Sequence, residues 1–328
     1  MAEIQDFFLN ILSDFSGFLW GVPMIVLLFG THLFLTFRTG GVQRHIGTAI
    51  KMALSGSKAG GDISNFSALM VAMAATVGTG NIIGVGTAIA LGGPGAVFWC
   101  WLTGVFGVAT KYAESLLSVK YRYKTSDGTM IGGPMVVLEK ALKMKWLSMF
   151  FCIATICAAF GIGNMTQANS VSTLMQENFG VSTYVTGAVM ALLIGLITMG
   201  GIKWLSRVCE IFVPFMAAIY IIGCLAILFL NASWVDDALL LIIKSAFSAD
   251  AVGGGFAGGG IMLAMRYGIS RGLFSNESGL GSAPIVSAAA RTESTTILTI
   301  SSPFLIIGAL TPRETVPIIR LIEKTPYK

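Results

Sequence analysis

Two short stretches of the sequence combine glycines, hydroxyl residues and an asparagine with apolar neighbours: AATVGTGNIIGVG at 74–86 and LFSNESGLGSAPI at 273–285. The first stretch lies within residues 63–110, a run of 48 residues without Asp, Glu, Lys or Arg. Glycine is a poor helix former, so each stretch can interrupt a helix. Amides freed at a helix start bind a carboxylate, and carbonyls freed at a helix end bind a small cation. The two stretches are therefore candidates for a backbone site that binds both kinds of ion.

The elements that hold these stretches are predicted to be membrane-spanning helices. Of the 328 residues, 55% are hydrophobic and only 11% are charged, whereas soluble domains carry about 25% charged residues. About 20 helical residues cross the hydrocarbon core of a bilayer. Several uncharged runs are at least that long: 17–37, 63–110, 147–176 and 211–235. The composition indicates a polytopic, all-α membrane protein with the lipid bilayer as its surroundings.

Hydropathy and turn residues divide the chain into seven spanning helices and one shorter apolar run. The spanning helices are predicted at 17–37, 64–90, 96–119, 147–176, 183–201, 208–231 and 256–290, and the short run at 296–310. The turn GGPG at 92–95 separates the second helix from the third. Two amphipathic segments, 42–54 and 133–145, are predicted to lie in the membrane interface.

The basic residues predict the orientation of the chain in the membrane. With the N-terminus outside, twelve Lys and Arg residues fall in the inner loops, which are 38–60, 120–145 and 202–207. Only Lys244 falls in the outer segments, which are 1–16, 91–95, 177–182 and 232–250. This positive-inside bias indicates an inner-membrane protein with its N-terminus outside. It also accounts for the basic residues without a nucleic-acid partner.

The glycines of the first stretch allow three interpretations. The spacing of Gly78, Gly80 and Gly84 is close to a dinucleotide-binding fingerprint, but no short strand precedes it and the spacing differs by one residue. Gly84 and Gly86 are also suited to close helix packing. We favour a broken helix, in which the glycines of Gly78–Gly80 adopt the positive φ that glycine reaches without steric cost.

A second break is predicted near Ser275, in the seventh helix. Two glycine-interrupted crossings, one early in each half, indicate an inverted-repeat transporter with its site near the membrane midplane. The first helix stands outside the repeat, so the breaks fall in helices one and six of a 5+5 arrangement. Because the sequence offers neither a nucleophile–base pair nor a histidine-based metal site, we do not expect an enzyme.

Longer segments that include both stretches resemble the alanine or glycine:cation symporter family (sodium:alanine symporters), which are bacterial and archaeal sodium/amino-acid symporters. These segments are NFSALMVAMAATVGTGNIIGVGTAIALGGPGAVFWCWLTG, MIGGPMVVLEKAL, GNMTQANSVSTLM and YGISRGLFSNESGLGSAPIVSAAA. The similarity covers roughly residues 1–291 and implies the leucine-transporter-like fold. It also implies sodium-driven uptake of alanine or glycine, with sodium as the coupling ion and no other cofactor.

The resemblance implies that both breaks contribute to a substrate site. The substrate carboxylate is expected at the backbone amides of Thr79 and Gly80. Gln167 is expected to donate to the same carboxylate, although it is also suited to a helix–helix hydrogen bond alone. The amino group is expected at backbone carbonyls of both breaks, and the Phe274 ring is expected to cover the small side chain. The full predicted set is Thr76, Thr79, Gly80, Gln167, Phe274, Ser275 and Asn276.

The resemblance also implies a cation site at the end of the first half-helix. The carbonyls of Ala74 and Val77 are expected to bind the sodium ion, since hard cations prefer oxygen ligands. Asn81 is expected either to bind a second ion or to be part of the break itself.

Charged residues inside a membrane are costly and usually partnered. Arg271 is predicted to lie about 6 Å outward of the second break at the helical rise per residue, so it should face the protein interior. Glu114 and Glu277 are its available counter-charges. We expect Glu114 to brace the second break in a structural role, and direct proton coupling by either glutamate is the alternative.

Three regions are expected along the chain. Residues 1–60 hold the extra helix and an interfacial helix, 61–250 the first five-helix repeat with its outer loop, and 251–328 the start of the second repeat with a divergent tail. Family members continue with several crossings beyond the seventh helix, so we expect a second repeat that is truncated at its C-terminal side. Three functions therefore stay open: a sodium-coupled symporter, a transport-inactive truncated membrane fragment, and an ion pore.

Overall fold

The computed structural model describes residues 2–54, 60–248 and 260–291, and helices make up most of these ranges. They contain the α-helices α1 Ala2–Leu19, α2 Val22–Arg38, α3 Ile46–Leu54, α4 Asn65–Thr76, α5 Val85–Gly92, α6 Gly95–Tyr121, α7 Pro134–Lys140, α8 Lys145–Phe160, α9 Thr166–Phe179, α10 Thr183–Met199, α11 Gly201–Leu230, α12 Ala232–Phe247, α13 Gly260–Asn276 and α14 Ala283–Ala289. A short hairpin pairs β1 Tyr123–Lys124 antiparallel with β2 Met130–Ile131. The predicted all-α fold class is confirmed, and the hairpin is an addition to it.

Several helices are suited to a membrane by length and composition. Within the described ranges, Leu9–Arg38, Lys145–Phe179 and Gly201–Leu230 are long and apolar enough to cross a bilayer, and the bent pair α4–α5 makes a fourth candidate. Large apolar side chains on the outer faces of α8 to α11 are more than half exposed, among them Phe150, Leu192 and Phe215. Soluble proteins rarely expose apolar surface on this scale. These faces fit contact with lipid.

The helix predicted at 64–90 is broken, as its glycines indicated. A wide helical turn at Gly80–Gly84 leads from the break into α5, and the two halves are bent by 43°. The expectation of positive φ is wrong, because neither Gly78 nor Gly80 has one. The chain instead leaves α4 through an extended backbone at Val77, with φ −90° and ψ 97°.

The second break is also present, between α13 and α14 at residues 277–282. Three of its residues have positive φ: Glu277 at 53°, Gly279 at 88° and Gly281 at 78°. Glycine adopts this conformation without steric cost, whereas a glutamate does so rarely. The beginning of the predicted seventh helix and the predicted run at 296–310 lie outside the described residues.

Three segments predicted as loops are helical. The inner loop 202–207 forms the first turns of α11, since no Gly or Pro occurs between Gly201 and Pro214 to stop a helix. The outer segments 1–16 and 232–250 consist mostly of α1 and α12. Both segments carry apolar residues at helical spacing, and this pattern favours a helix although the segments also contain acidic residues.

The two predicted interfacial segments contain short helices. Segment 42–54 forms a 3-10 turn at Val42–His45 followed by α3. Segment 133–145 forms α7, which ends before Lys143, a residue with a φ of 55°. Both helices therefore end within the predicted bounds.

α6 is the element against which α2, α12, α13 and α14 pack. α13 approaches it closely through Gly268, where a methyl group would overlap the Ala96 carbonyl, and Gly272 is similarly crowded. The alternative interpretation of Gly84 and Gly86, close helix packing, is not supported at these two positions. Within the described residues, a methyl group at Gly86 would meet nothing within 4 Å, and one at Gly84 nothing closer than 3.9 Å.

Candidate substrate and cation site

The two breaks lie against each other. Ser275 Oγ, near the end of α13, donates a hydrogen bond to Asn81 Oδ1, beside the first break. A Cβ placed on Gly80 would lie 3.4 Å from the Phe274 ring, so the ring lies beside this glycine at van der Waals distance from the position of a methyl group. Two stretches almost 200 residues apart in the sequence therefore meet in the structure.

Asn81 holds the first break in shape. Its Nδ2 donates a hydrogen bond of 2.8 Å to the carbonyl of Thr76, the last residue of α4. Its backbone amide donates to the Gly78 carbonyl at 3.1 Å. The last carbonyls of a helix lack a donor within that helix, and Asn81 supplies one from beyond the break. Asn81 was predicted either to bind a second ion or to be part of the break, and this contact fits the second role.

An open cavity of about 360 Å³ lies beside the meeting point of the breaks. Thr79 Oγ1, at the first break, donates a hydrogen bond to Gln167 Oε1 on α9. Glu277 is the ionisable residue among those that line the cavity. Most of the predicted substrate and cation residues line it too: Ala74, Thr76, Val77, Gly80, Gln167, Phe274 and Ser275. The structure thus brings these predicted residues to one space.

Asn276 and Asn81 line a different cavity, of about 390 Å³, between α5, α6 and α11. Its other lining groups are mostly apolar, with Tyr220 as a further polar one. Ser275 lines both cavities. The side chain of Asn276, which was predicted to contact the substrate, therefore faces a different space from the other substrate residues.

Two charged side chains of α6 bind the backbone of the second break. Lys111 Nζ donates a hydrogen bond of 2.9 Å to the carbonyl of Asn276, the last residue of α13. Glu114 Oε2 accepts one of 3.4 Å from the amide of Gly279. Residues three apart share a helix face, so both reach the same break. Lys111 is 1% exposed.

Sequence reasoning missed Lys111. It follows directly on the uncharged run that ends at Thr110, so it marked the end of that run and was not considered as part of a site. A signal was present, because an ionisable residue inside a predicted spanning helix is a functional candidate by default. The i,i+3 spacing to Glu114 would have placed both on one face.

Further along the same face, α6 holds α14. Ser118 Oγ donates to the Pro284 carbonyl at 2.5 Å. Arg122 donates to two carbonyls at the end of α14, at 2.8 and 2.7 Å. Partial burial lowers the pKa of Arg122, and the neighbouring carboxylate of Asp62 opposes this effect. The half-helix after the second break is thus bound to α6 by side chains that contact its backbone.

The predicted charge group is divided between the two breaks. Glu277 Oε2 accepts a hydrogen bond of 3.1 Å from Ser282 within the second break. Glu114, on α6, binds the same break through the Gly279 amide. A methyl group on Gly84, in the wide turn of the first break, would lie 3.9 Å from Cδ of Arg271. Among the residues that the structure describes, Lys111 is the cation that hydrogen-bonds to the same break as the two glutamates.

Comparison with known proteins identifies the family of this chain. The sodium:alanine symporter family model matches residues 5–301. An uncharacterized transporter of Haemophilus influenzae is 48% identical over 286 residues, 86% of this chain and 63% of the relative. The sodium/alanine symporter AgcS of Methanococcus maripaludis is 48% identical over 294 residues, 87% of this chain and 64% of the relative. The probable sodium/glutamine symporter GlnT of Bacillus subtilis is 37% identical over 296 residues, 89% of this chain and 60% of the relative.

The chain spans less than two thirds of the length of these relatives. The matched range nevertheless includes both helix breaks and all the residues of the two cavities. The chain is therefore a member of the sodium:alanine symporter family.

Proposed function

We propose that this chain carries the substrate and cation site of a sodium-coupled symporter for a small neutral amino acid, alanine or glycine. The observation that carries the proposal is the contact between the two breaks, through Ser275 and Asn81, beside a cavity lined by both. A transporter that binds an amino acid between two broken helices needs such a juxtaposition. The relative AgcS is named a sodium/alanine symporter.

The start of the helix after the first break supports a place for the substrate carboxylate. Thr79 and Gly80 lie at that start, where helix amides lack a carbonyl partner within the helix and the dipole favours an anion. Gly80 and Gln167 both line the cavity beside the two breaks. Because its Oε1 accepts from Thr79, its amide NH₂ group is oriented by that bond and can donate to a carboxylate.

The end of α4 supports a place for the sodium ion. Ala74 and Val77 line the cavity at this end, where carbonyls without helical donors form the negative pole of the helix. Oxygen atoms are the ligands that hard cations prefer. The substrate amino group would share the carbonyl-rich side of the cavity, near Thr76 and Ser275.

The Phe274 ring supports a small substrate, because it packs on Gly80 and closes one side of the cavity. Alanine, glycine and serine should therefore compete with each other, and leucine and phenylalanine should compete poorly. One relative is named a probable sodium/glutamine symporter, so substrate size needs a direct test.

Uptake into proteoliposomes tests the proposed function. The chain is reconstituted, and radiolabelled alanine uptake is measured with an inward sodium gradient and with potassium in its place. A chimera in which the C-terminal part of AgcS follows residue 291 is measured in parallel. Sodium-driven alanine uptake that unlabelled glycine inhibits and leucine does not is the expected result.

The competing functions give different results in the same vesicles. An ion pore would pass sodium without alanine dependence. A transport-inactive truncated fragment would leave the chain without uptake while the chimera transports, and uptake by neither would contradict the proposed site. Uptake that leucine inhibits as well as alanine does would contradict the small substrate.

A further inference from the structure

We propose that Lys111 is a positioning residue that acts as a fixed cation at the second break, holding the Asn276 carbonyl and thereby the neighbouring Phe274 and Ser275 against the first break. The inference deepens the proposed function and rests on it, because Phe274 and Ser275 line the proposed substrate cavity. Lys111 itself does not line that cavity, so it acts through the backbone it holds.

The first step is the position of the lysine at a helix end. Asn276 is the last residue of α13, so its carbonyl belongs to the group that lacks donors within the helix and carries the negative pole of the dipole. Lys111 Nζ donates to this carbonyl at 2.9 Å. The side chain is 1% exposed, so bulk solvent does not screen its charge. A cation at this point stabilises the end of α13.

The second step is the balance of charge around the lysine. The carboxylates of Glu277 and Glu114 both act electrostatically on its ammonium group. Glu114 also accepts from the Gly279 amide. A buried charge is tolerated when it is paired and hydrogen-bonded, and removing one partner of such a group is strongly destabilising. Lysine, glutamates and backbone therefore form one unit at the second break.

The third step is a comparison of the two helix ends, because the described cavity lining at the carbonyl end of α4 has no basic side chain like Lys111. Among the described residues that line the cavity at the carbonyl end of α4, none is Lys or Arg. The side chain that caps this end, from Asn81, is neutral. The carbonyl end of α4 therefore has room for a mobile cation, whereas the carbonyl end of α13 already carries the ammonium group of Lys111. This assigns the exchangeable sodium to the α4 end and the fixed charge to the α13 end.

The variant Lys111→Met tests this role in the full chain. It removes the ammonium group and keeps most of the side-chain volume. Alanine affinity is measured by calorimetry over a range of sodium chloride, with choline chloride at constant ionic strength, and hydrogen–deuterium exchange is followed over residues 276–282. Lys120→Met, near the end of the same helix, is the control, because this half-buried side chain lies over the Tyr121 ring and away from the second break.

We expect Lys111→Met to weaken alanine binding by about tenfold, the size of a lost charge-assisted hydrogen bond, and to speed exchange over 276–282. Lys120→Met should change neither quantity. If Lys111→Met does not fold, the double variant Lys111→Met/Glu114→Gln, which also removes one of the two carboxylates that the lysine balances, is tested instead. It should fold and still bind alanine weakly; recovery of native affinity would show that Lys111 only balances charge, which contradicts the inference.

The two proposals fail in different ways. If the unaltered chain binds no alanine in sodium, the proposed function fails, and exchange alone then decides the role of Lys111. Faster exchange over 276–282 in Lys111→Met would support the fixed cation without reference to alanine. Unchanged exchange, with or without alanine binding, would overturn it.

Discussion

Three residues, 77–79, separate α4 from the wide turn at the first break, whereas six, 277–282, separate α13 from α14 at the second. The first break has no positive φ, and the second has three. Neutral groups hold the first break, chiefly the amide of Asn81. Charged groups of α6 hold the second, chiefly Lys111 and Glu114.

This difference separates two tasks within one site. A break held by neutral groups keeps its carbonyl end available to an ion that comes and goes. A break whose carbonyl end already carries a lysine is suited to be a fixed surface for the substrate. The glycines differ accordingly: Gly80 gives the Phe274 ring access to the backbone, while Gly268 lets α13 pack closely on α6.

The largest expected effect concerns which side of the membrane each half-helix faces. Asp62, just before α4, accepts a hydrogen bond of 2.8 Å from the Met130 amide of the hairpin. A label in the hairpin therefore reports the side on which α4 begins. In a background with its five cysteines changed to serine, Ser126→Cys should react with a membrane-impermeant maleimide only from the cytoplasmic side, and Ser233→Cys only from outside. Labelling in the opposite sense would reverse the orientation of both breaks.

The next effect tests the close packing of α13, which carries the second break. Gly268→Ala places a methyl group against the Ala96 carbonyl, and overpacking of this kind costs about 1–3 kcal/mol. We expect a clearly lower melting temperature in detergent. Gly86→Ala is the matched control, because its methyl group would meet nothing within 4 Å and alanine favours a helix by about 1 kcal/mol. Equal melting temperatures for both variants would show that α13 does not depend on this contact.

A smaller effect is expected at the first break, on binding and not on folding. A methyl group on Gly80 would lie 3.4 Å from the Phe274 ring and 3.6 Å from Ser275 Cα. Because φ at Gly80 is not positive, alanine is tolerated by the backbone, and its methyl group would fill the space between Gly80 and the Phe274 ring where the two breaks meet. Alanine and sodium affinity should fall together by about tenfold, or about 1.4 kcal/mol, with little change in melting temperature.

Gly84→Ala is the control for this variant, since its methyl group has room. Isothermal calorimetry with and without sodium measures both variants. An equal loss of affinity for the two variants would point to the helix as a whole instead of the contact with Phe274.

The sequence allowed both breaks and most of the cavity to be predicted, because clustered glycine and polar residues disfavour a continuous spanning helix and favour an interrupted one. It did not predict how the breaks are shaped. Val77, a β-branched residue without a turn signature, provides the extended backbone at the first break. It also did not predict that Asn276 faces a different cavity from Phe274, since this depends on the rotation of α13 against α6. The sequence marks Lys111 as an ionisable residue of a spanning helix, but its partner, the Asn276 carbonyl, is set by the tertiary packing of α6 against α13.

The smallest expected effect concerns the single side-chain hydrogen bond between the breaks. Ser275→Ala removes the donor to Asn81 Oδ1 but keeps the contact of Phe274 with Gly80, so the breaks should stay together with less precise geometry. One neutral hydrogen bond contributes about 1 kcal/mol, or about fivefold in affinity. Ser270→Ala is the control on the same helix, since Ser270 Oγ donates only to the Tyr267 carbonyl of its own helix, at 3.3 Å. Calorimetry with alanine should show a drop for Ser275→Ala and native affinity for Ser270→Ala. A loss for Ser275→Ala as large as that for Gly80→Ala would show that the contact between the breaks depends on this one bond as strongly as on the contact with the Phe274 ring.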